Sequence, residues 1–129
     1  MEKATLLLVD DEEVFTTNMS RLLTSRGYQV TTVNNGEEAL AALKEKPFDV
    51  MVLDLKMPVM DGITTLHNVK DLGLLTEVLV LTGHGSMDTA FRAIDMGAYD
   101  YLTKPCEITE LVSKIEAAYA RKKVKEKKP

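Results

Sequence analysis

Three acidic positions and one lysine carry the chemical content of this chain. Asp10 and Asp11 follow an apolar run at residues 6–9. Asp54 closes the apolar run 50–53, and Lys104 stands between Leu102-Thr103 and Pro105. Each falls just past the carboxyl end of an expected strand. In an open parallel α/β sheet those ends line one edge, and that edge is where ligands bind. Three carboxylates and one ammonium, far apart in sequence, would meet there. Carboxylates crowded in this way repel unless a cation joins them. A hard divalent cation with oxygen ligands satisfies them, and Mg²⁺ is the usual one where phosphate is handled.

The elements that must position these groups follow from periodicity. Five strand-like runs are expected, at residues 5–9, 28–33, 49–53, 77–81 and 99–102. The first is continuously apolar, as a strand buried on both faces should be. Five amphipathic segments alternate with them. The first covers 12–26, with Phe15, Met19, Leu22 and Leu23 on one face and Gly27 at its end. The second starts at Asn35-Gly36-Glu37-Glu38, an asparagine cap with an acid three residues on, and runs to about residue 46 before Pro47. The third covers about 63–72. The fourth is capped at Ser86, carries Met87, Ala90, Phe91 and Ile94, and stops at Gly97. The fifth covers 107 to about 122, with Ile108, Leu111, Val112, Ile115 and Ala118 facing inward. Alternation with short connections predicts a three-layer, doubly wound, five-stranded parallel sheet with helices on both faces. The flavodoxin-like order 2-1-3-4-5 follows, with Asp10, Asp11 and Asp54 flanking the switch point between the first and third strands.

Bulk composition narrows the classes. A chain of 129 residues, 45% apolar and 28% charged, is one ordinary globular domain with a real core. No apolar stretch reaches the roughly 18 residues of a membrane helix. The first residues run straight into a strand without a secretory signal, and one cysteine, Cys106, is in keeping with a cytoplasmic location. The net charge of −4 conceals a split. Residues 121–129 hold six Lys/Arg and one Glu, which leaves −9 on the rest. The expected division is a folded domain over 1–120 and a basic tail or linker stub over 121–129, without direct nucleic-acid binding by the domain.

The chain resembles the receiver domain of two-component response regulators. The likeness rests on Leu7-Leu8-Val9-Asp10-Asp11-Glu12, Val52-Leu53-Asp54-Leu55-Lys56-Met57-Pro58 with Met60-Asp61-Gly62, Leu81-Thr82-Gly83-His84-Gly85, Gly97-Ala98-Tyr99-Asp100-Tyr101-Leu102 and Thr103-Lys104-Pro105. It covers about residues 4–120. The run 82–85 looks most like receivers attached to ATPase-type transcriptional activators.

The resemblance implies a phosphorylation-dependent switch rather than a turnover enzyme. Asp54 would attack phosphorus and form an acyl phosphate, taking the group from a phosphohistidine on a sensor histidine kinase or phosphotransfer protein. Asp11 and Asp54 would ligate Mg²⁺ directly with the backbone carbonyl of Lys56, and Asp10 through a water. Lys104 would reach a phosphoryl oxygen, and could pair with Asp54 beforehand. Thr82 would donate to the phosphoryl group and Tyr101 would move inward, changing the surface of the fourth helix, fifth strand and last helix. That surface would control an output domain or effector, in transcription regulation or through a homodimer formed on phosphorylation. The Lys104–Pro105 bond is usually cis in the family. Lys56 and His84, two residues after Asp54 and Thr82, occupy positions that influence the lifetime of the phosphoryl group. Lys56 cannot accept a hydrogen bond from an attacking water, which suggests slow autodephosphorylation.

Taken singly, these residues have plain readings: Asp10-Asp11 as a helix start, Asp54 as a turn residue, Lys104 as a surface lysine, Tyr101 as a half-buried strand tyrosine. Three other classes compete. A phosphatase-type hydrolase with an aspartyl nucleophile on a related sheet commonly carries a second Asp two residues on, where this chain has Lys56. A flavin or nucleotide module needs a phosphate-cradling loop after the first strand, where this chain has Asp10-Asp11-Glu12-Glu13. A receiver-like domain that is never phosphorylated would not need the full set of Asp10, Asp11, Asp54, Thr82 and Lys104.

Overall fold

The computed structural model describes residues 3–56, 61–83 and 87–127. Strands β1 (Thr5–Val9), β2 (Gln29–Val33), β3 (Val50–Asp54), β4 (Glu77–Thr82) and β5 (Asp100–Thr103) alternate with helices α1 (Glu13–Ser25), α2 (Gly36–Glu45), α3 (Gly62–Asp71), α4 (Met87–Asp95) and α5 (Ile108–Glu126). The strands form one sheet in the order β2-β1-β3-β4-β5, every pair parallel. The expected fold class is the observed one.

Side-chain alternation along the strands builds two separate cores. Leu7, Val9, Met51, Leu53, Val78 and Val80 face a layer that includes Leu43, Leu66 and Ala93 of α2, α3 and α4. Leu6, Leu8, Val50, Val52, Leu79 and Leu81 face Met19 and Leu23 of α1 and Leu111, Ile115 and Ala118 of α5. Successive strand residues point to opposite faces, so the continuous apolar runs of β1, β3 and β4 reflect burial on both sides. All residues of β3 and β4 are buried.

Local signals act as their chemistry requires. The Asn35 side chain accepts from the Glu38 amide at 2.9 Å, and Glu38 Oε1 accepts from the Asn34 amide at 2.8 Å, which closes the start of α2. Gly27 and Gly97, with φ of 97° and 107°, end α1 and α4 in the left-handed region. A Cβ at Gly62 would lie 2.3 Å from Leu55 Cα, so the start of α3 packs against the backbone just after Asp54 and admits only glycine there. The Ser86 cap expected for α4 lies outside the described residues.

The last helix departs from expectation. It was expected to end near residue 122 and instead continues to Glu126, through most of the segment read as a basic tail. The cause is two acids at the amino-terminal edge of the sheet. Glu77 is fully buried, and its Oε2 lies 2.8 Å from both Arg121 Nε and Lys125 Nζ. Neither contact has hydrogen-bond angles, so the pairing is ionic rather than directed. Lys122 is also buried, with Nζ 2.8 Å from Asp49 Oδ1 and 2.7 Å from Glu126 Oε2. Asp49 Oδ2 in turn accepts from the Thr5 amide and hydroxyl. Burial disfavours the Asp49 charge, but Lys122 and Thr5 outweigh it and hold the carboxyl below its ordinary range. These pairs pin the last turns of α5 to the starts of β1, β3 and β4.

Removing Arg121 and Lys125 takes away the two cations in contact with the buried Glu77 carboxylate and leaves it only the longer-range charge of Lys70. The double variant Arg121→Ala, Lys125→Ala should lose about 3 kcal/mol of stability, the lower end for breaking a buried pair. Urea unfolding at neutral pH measures it, and a loss near that of an exposed lysine pair would show Glu77 to be paired elsewhere.

Candidate phosphoryl and metal site

The carboxyl end of β1 delivers Asp10. Its amide continues the β1–β2 ladder by donating to Val33 O at 3.2 Å, and its Oδ1 accepts from the Glu12 amide at 2.9 Å. That turn orients a side chain with no solvent exposure. The register Val9↔Leu53 sets Asp54, the last residue of β3, beside it. Asp54 is 4% exposed, and its Oδ1 accepts from the Lys56 amide at 3.0 Å. On the other side, Asp54 is in register with Leu81, and the Leu55 amide donates to Leu81 O. Thr82 is therefore the next residue along that rim. It is buried at the end of β4, and its hydroxyl donates to Gly83 O at 3.3 Å. Among the described residues, and apart from its chain neighbours, nothing lies within 4 Å of where a Cβ at Gly83 would be.

Lys104 arrives by the last ladder. Thr82 pairs in register with Thr103, and the Lys104 amide donates to Thr82 O at 2.8 Å. The Lys104–Pro105 bond is cis. The side chain reaches back across the sheet end, 15% exposed. Its Nζ lies 2.6 Å from Asp10 Oδ2, 2.7 Å from Glu12 Oε1 and 3.6 Å from Asp54 Oδ2. The lysine expected to pair with Asp54 is thus held chiefly by Asp10 and Glu12. The Glu12 contact is a hydrogen bond, whereas Asp10 Oδ2 has the charge beside it without hydrogen-bond angles.

The electrostatics follow from burial and count. Desolvation, opposed by the Lys56 amide and reinforced by Asp10, pushes the Asp54 carboxyl up to about 6. Burial alone would lower the Lys104 ammonium, but Asp10, Glu12 and Asp54 together raise it well above the ordinary lysine range. The hydrogen bond from Lys104 holds Glu12 below its usual value.

Three carboxylates, Asp10, Glu12 and Asp54, offer oxygens that all lie within 4.8 Å of one another. Asp10 Oδ2 is a buried acceptor without a directed donor. An all-oxygen set of this kind, two members buried, fits a hard divalent cation. Asp11 is exposed and stands outside this group, and Glu12 stands within it. Sequence reasoning set Glu12 aside as part of an acidic run. The signal was present in the count of acids at 10–13, but only the direction taken by Lys104 separates Glu12 from Glu13.

Tyr101 of β5 is half-buried. Its ring meets Phe91 of α4 edge-on, with centroids 6.3 Å apart, and Lys114 Nζ lies 5.9 Å from the ring centre. Lys114 is itself paired with Asp100 at 2.7 Å. Phe91 is 55% exposed. Of the other residues singled out in the sequence, Met57, Pro58, Met60, His84 and Gly85 lie outside the described residues.

The family model for the response regulator receiver domain matches residues 6–116. This chain belongs to that family. Among curated relatives, the receiver is 38% identical over 125 residues to the transcriptional regulatory protein ZraR of Klebsiella oxytoca, covering 97% of this chain and 28% of the relative. It is 38% identical over 118 residues to the DNA-binding transcriptional regulator NtrC of Salmonella typhimurium, covering 92% and 25%. The receiver therefore spans about a quarter of the length of the curated relatives it matches. A response regulator receiver domain protein from Clostridium thermocellum superimposes with a TM-score of 0.89 at 35% identity, covering 95% of this chain and 98% of the other. NtrX from Brucella abortus, in a structure with ADP, superimposes with a TM-score of 0.91 at 30% identity, covering 98% and 29%.

The raised Asp54 carboxyl has a thermodynamic consequence. The folded receiver holds that proton more tightly than the unfolded chain. Without divalent cations, stability should therefore fall as pH rises from about 4 to about 6 and level off above, by at most about 3 kcal/mol. Asp54→Asn removes this slope. In urea unfolding without divalent cations, the variant should be more stable than wild type at about pH 7.5, with the gap closing by about pH 4. A gap of equal size at both pH values contradicts the assignment.

Proposed function

We propose that this receiver is a phosphorylation-controlled switch that accepts a phosphoryl group on Asp54. The observation that carries the reading is the convergence of Asp10, Asp54 and Lys104 on one rim of the sheet, with Thr82 next to Asp54 along that rim. An Asp54 oxygen attacks phosphorus of a phosphohistidine. The P–N bond breaks, its electron pair goes to the imidazole nitrogen, and a P–O bond forms as an acyl phosphate. Asp11, Asp54 and the carbonyl of Lys56, with Asp10 through a water, are the groups that would hold Mg²⁺. When bound, that ion neutralises charge on the equatorial phosphoryl oxygens. The chain's own contributions are a nucleophile aligned by the Lys56 amide and an ammonium 3.6 Å from Asp54 Oδ2.

The output follows from the neighbours of Thr82. A phosphoryl group brings close to two negative charges and new acceptor oxygens. The Thr82 hydroxyl turns to one of them, and Tyr101 follows inward from its place against Phe91 and Lys114. The surface that changes is α4–β5–α5, and the equilibrium shifts between two populated states. The relatives named as transcriptional regulators support an output in transcription, through a further domain or an effector. The partner on the input side is a sensor histidine kinase or phosphotransfer protein, and homodimerisation through the changed face is one form the output takes. Receivers are signalling switches, and the only catalysis proposed here is self-directed: phosphoryl uptake and autodephosphorylation. No helix among the described residues is long and apolar enough to cross a membrane. The hydrolase alternative has no supporting observation, since position 56 carries a solvent-exposed lysine rather than an acid.

Intact-mass measurement with acetyl phosphate tests the reading. Wild type should gain one phosphoryl group only with Mg²⁺, and Asp54→Asn none; full labelling of the variant moves the site elsewhere. The lifetime of the adduct is a separate matter. Lys56→Asn supplies an amide able to orient water and should shorten the acyl-phosphate half-life several-fold, roughly 1 kcal/mol in barrier. An unchanged or slower decay ends that idea.

A further inference from the structure

The contacts of Lys104 are unevenly divided. Asp10, Glu12 and Phe15 all belong to the β1–α1 segment. The ammonium lies 2.6 Å from the first, 2.7 Å from the second and 4.5 Å from the ring centre of the third. Only Asp54 draws it toward β3, and at 3.6 Å that pair lies beyond hydrogen-bond distance. Among the described residues, the hydrogen bond that the ammonium donates goes to Glu12. We propose that Glu12 is a positioning residue that holds Lys104 back from Asp54 in the unphosphorylated receiver and thereby sets the rate at which the lysine engages the incoming phosphoryl group. This rests on the reading of Asp54 as the acceptor.

Burial identifies Glu12 as the partner that yields. Asp10 and Asp54 are fixed in the protein, at 0% and 6% side-chain exposure, whereas Glu12 is 65% exposed. A buried acceptor that loses its cation is left uncompensated, but an exposed carboxylate is rehydrated. A phosphoryl group on Asp54 adds close to two negative charges on the far side of the ammonium. The balance then tips toward β3, and Glu12 releases the lysine to water at small cost. Before transfer, the same contact is a brake. Its strength is that of a solvent-exposed charge pair, so it weakens with salt.

Two variants separate contact from charge. Glu12→Asp keeps the charge on a side chain too short to reach Nζ at 2.7 Å, and Glu12→Gln keeps the length without the charge. In the metal-free protein, NMR of the Lys104 ammonium should show solvent exchange of its protons faster in both, about two- to five-fold, the range an exposed pair commands. At saturating Mg²⁺, both should take up phosphoryl from acetyl phosphate faster than wild type by a similar factor. Were Glu12 only a contributor to the metal's acid group, Glu12→Gln would weaken Mg²⁺ and saturating Mg²⁺ would restore wild-type labelling without exceeding it. Lys104 exchange equal to wild type overturns the proposal, as does labelling at or below the wild-type rate at saturating Mg²⁺. Wild type that fails to label at all points instead to the Asp54 reading, and the metal-free exchange of Lys104 then decides the role of Glu12 alone.

Discussion

The structure depends on one electrostatic constraint: two buried carboxylates, Asp10 and Asp54, at neighbouring strand ends with a single ammonium between them. Leaving such charges in the interior without a cation costs several kcal/mol each, more than a surface pair could return. Lys104 meets the need from the end of β5, two places from β3 in the sheet, where that strand ends level with Thr82 and the long side chain reaches back across the sheet end. The arrangement is incomplete by design of its charge count. Asp10, Glu12 and Asp54 against Lys104 leave an excess of two negative charges, which suits a divalent cation. The burial that pushes up the Asp54 carboxyl is also what makes a cation at this place effective, since it acts where water screens little.

Strand β4 joins this site to the opposite edge of the sheet. Its carboxyl end is Thr82, next along the rim from Asp54, and its first residue is Glu77, tied to Arg121 and Lys125. Every residue between is buried and paired with β3. The ionic contacts at the far edge fix where α5 ends, while the Lys114 contact with Tyr101 touches the same helix near its start. One helix is thus held at its base by the sheet and flanked near its start by the residue proposed to move.

The fold was legible because its signals are local or periodic. Continuous apolar runs at 6–9 and 50–53 could only be strands covered on both faces, and Gly27 and Gly97 marked helix ends by the backbone they permit. The places of Asp10, Asp54, Thr82 and Lys104 followed from strand ends and order together. What the sequence concealed is the destination of long side chains. Nothing in the spacing of Lys104 tells whether its ammonium turns to Asp54 or to Glu12, because a four-carbon stem reaches both. The tail misled for a related reason. Six cations within residues 121–129 look like a solvated end until Glu77 and Asp49, isolated acids at strand starts, are seen to lie beneath three of them, Arg121, Lys122 and Lys125. Phe91 beside Tyr101 is likewise a tertiary meeting between elements whose spacing in sequence says nothing of contact.

The most direct measurement of the central claim is paramagnetic broadening of backbone amide signals on titration with Mn²⁺, a divalent ion with the same taste for oxygen ligands. The chain offers a built-in contrast, since Asp49, Glu77 and Glu126 crowd the other edge of the sheet. If the carboxylates at the carboxyl edge form one cation pocket, signals of residues 10–12, 54–56 and 104 should vanish first, and excess Mg²⁺ should bring them back. Broadening centred on residues 49, 77 and 126, or spread evenly over the surface acids, would contradict the account.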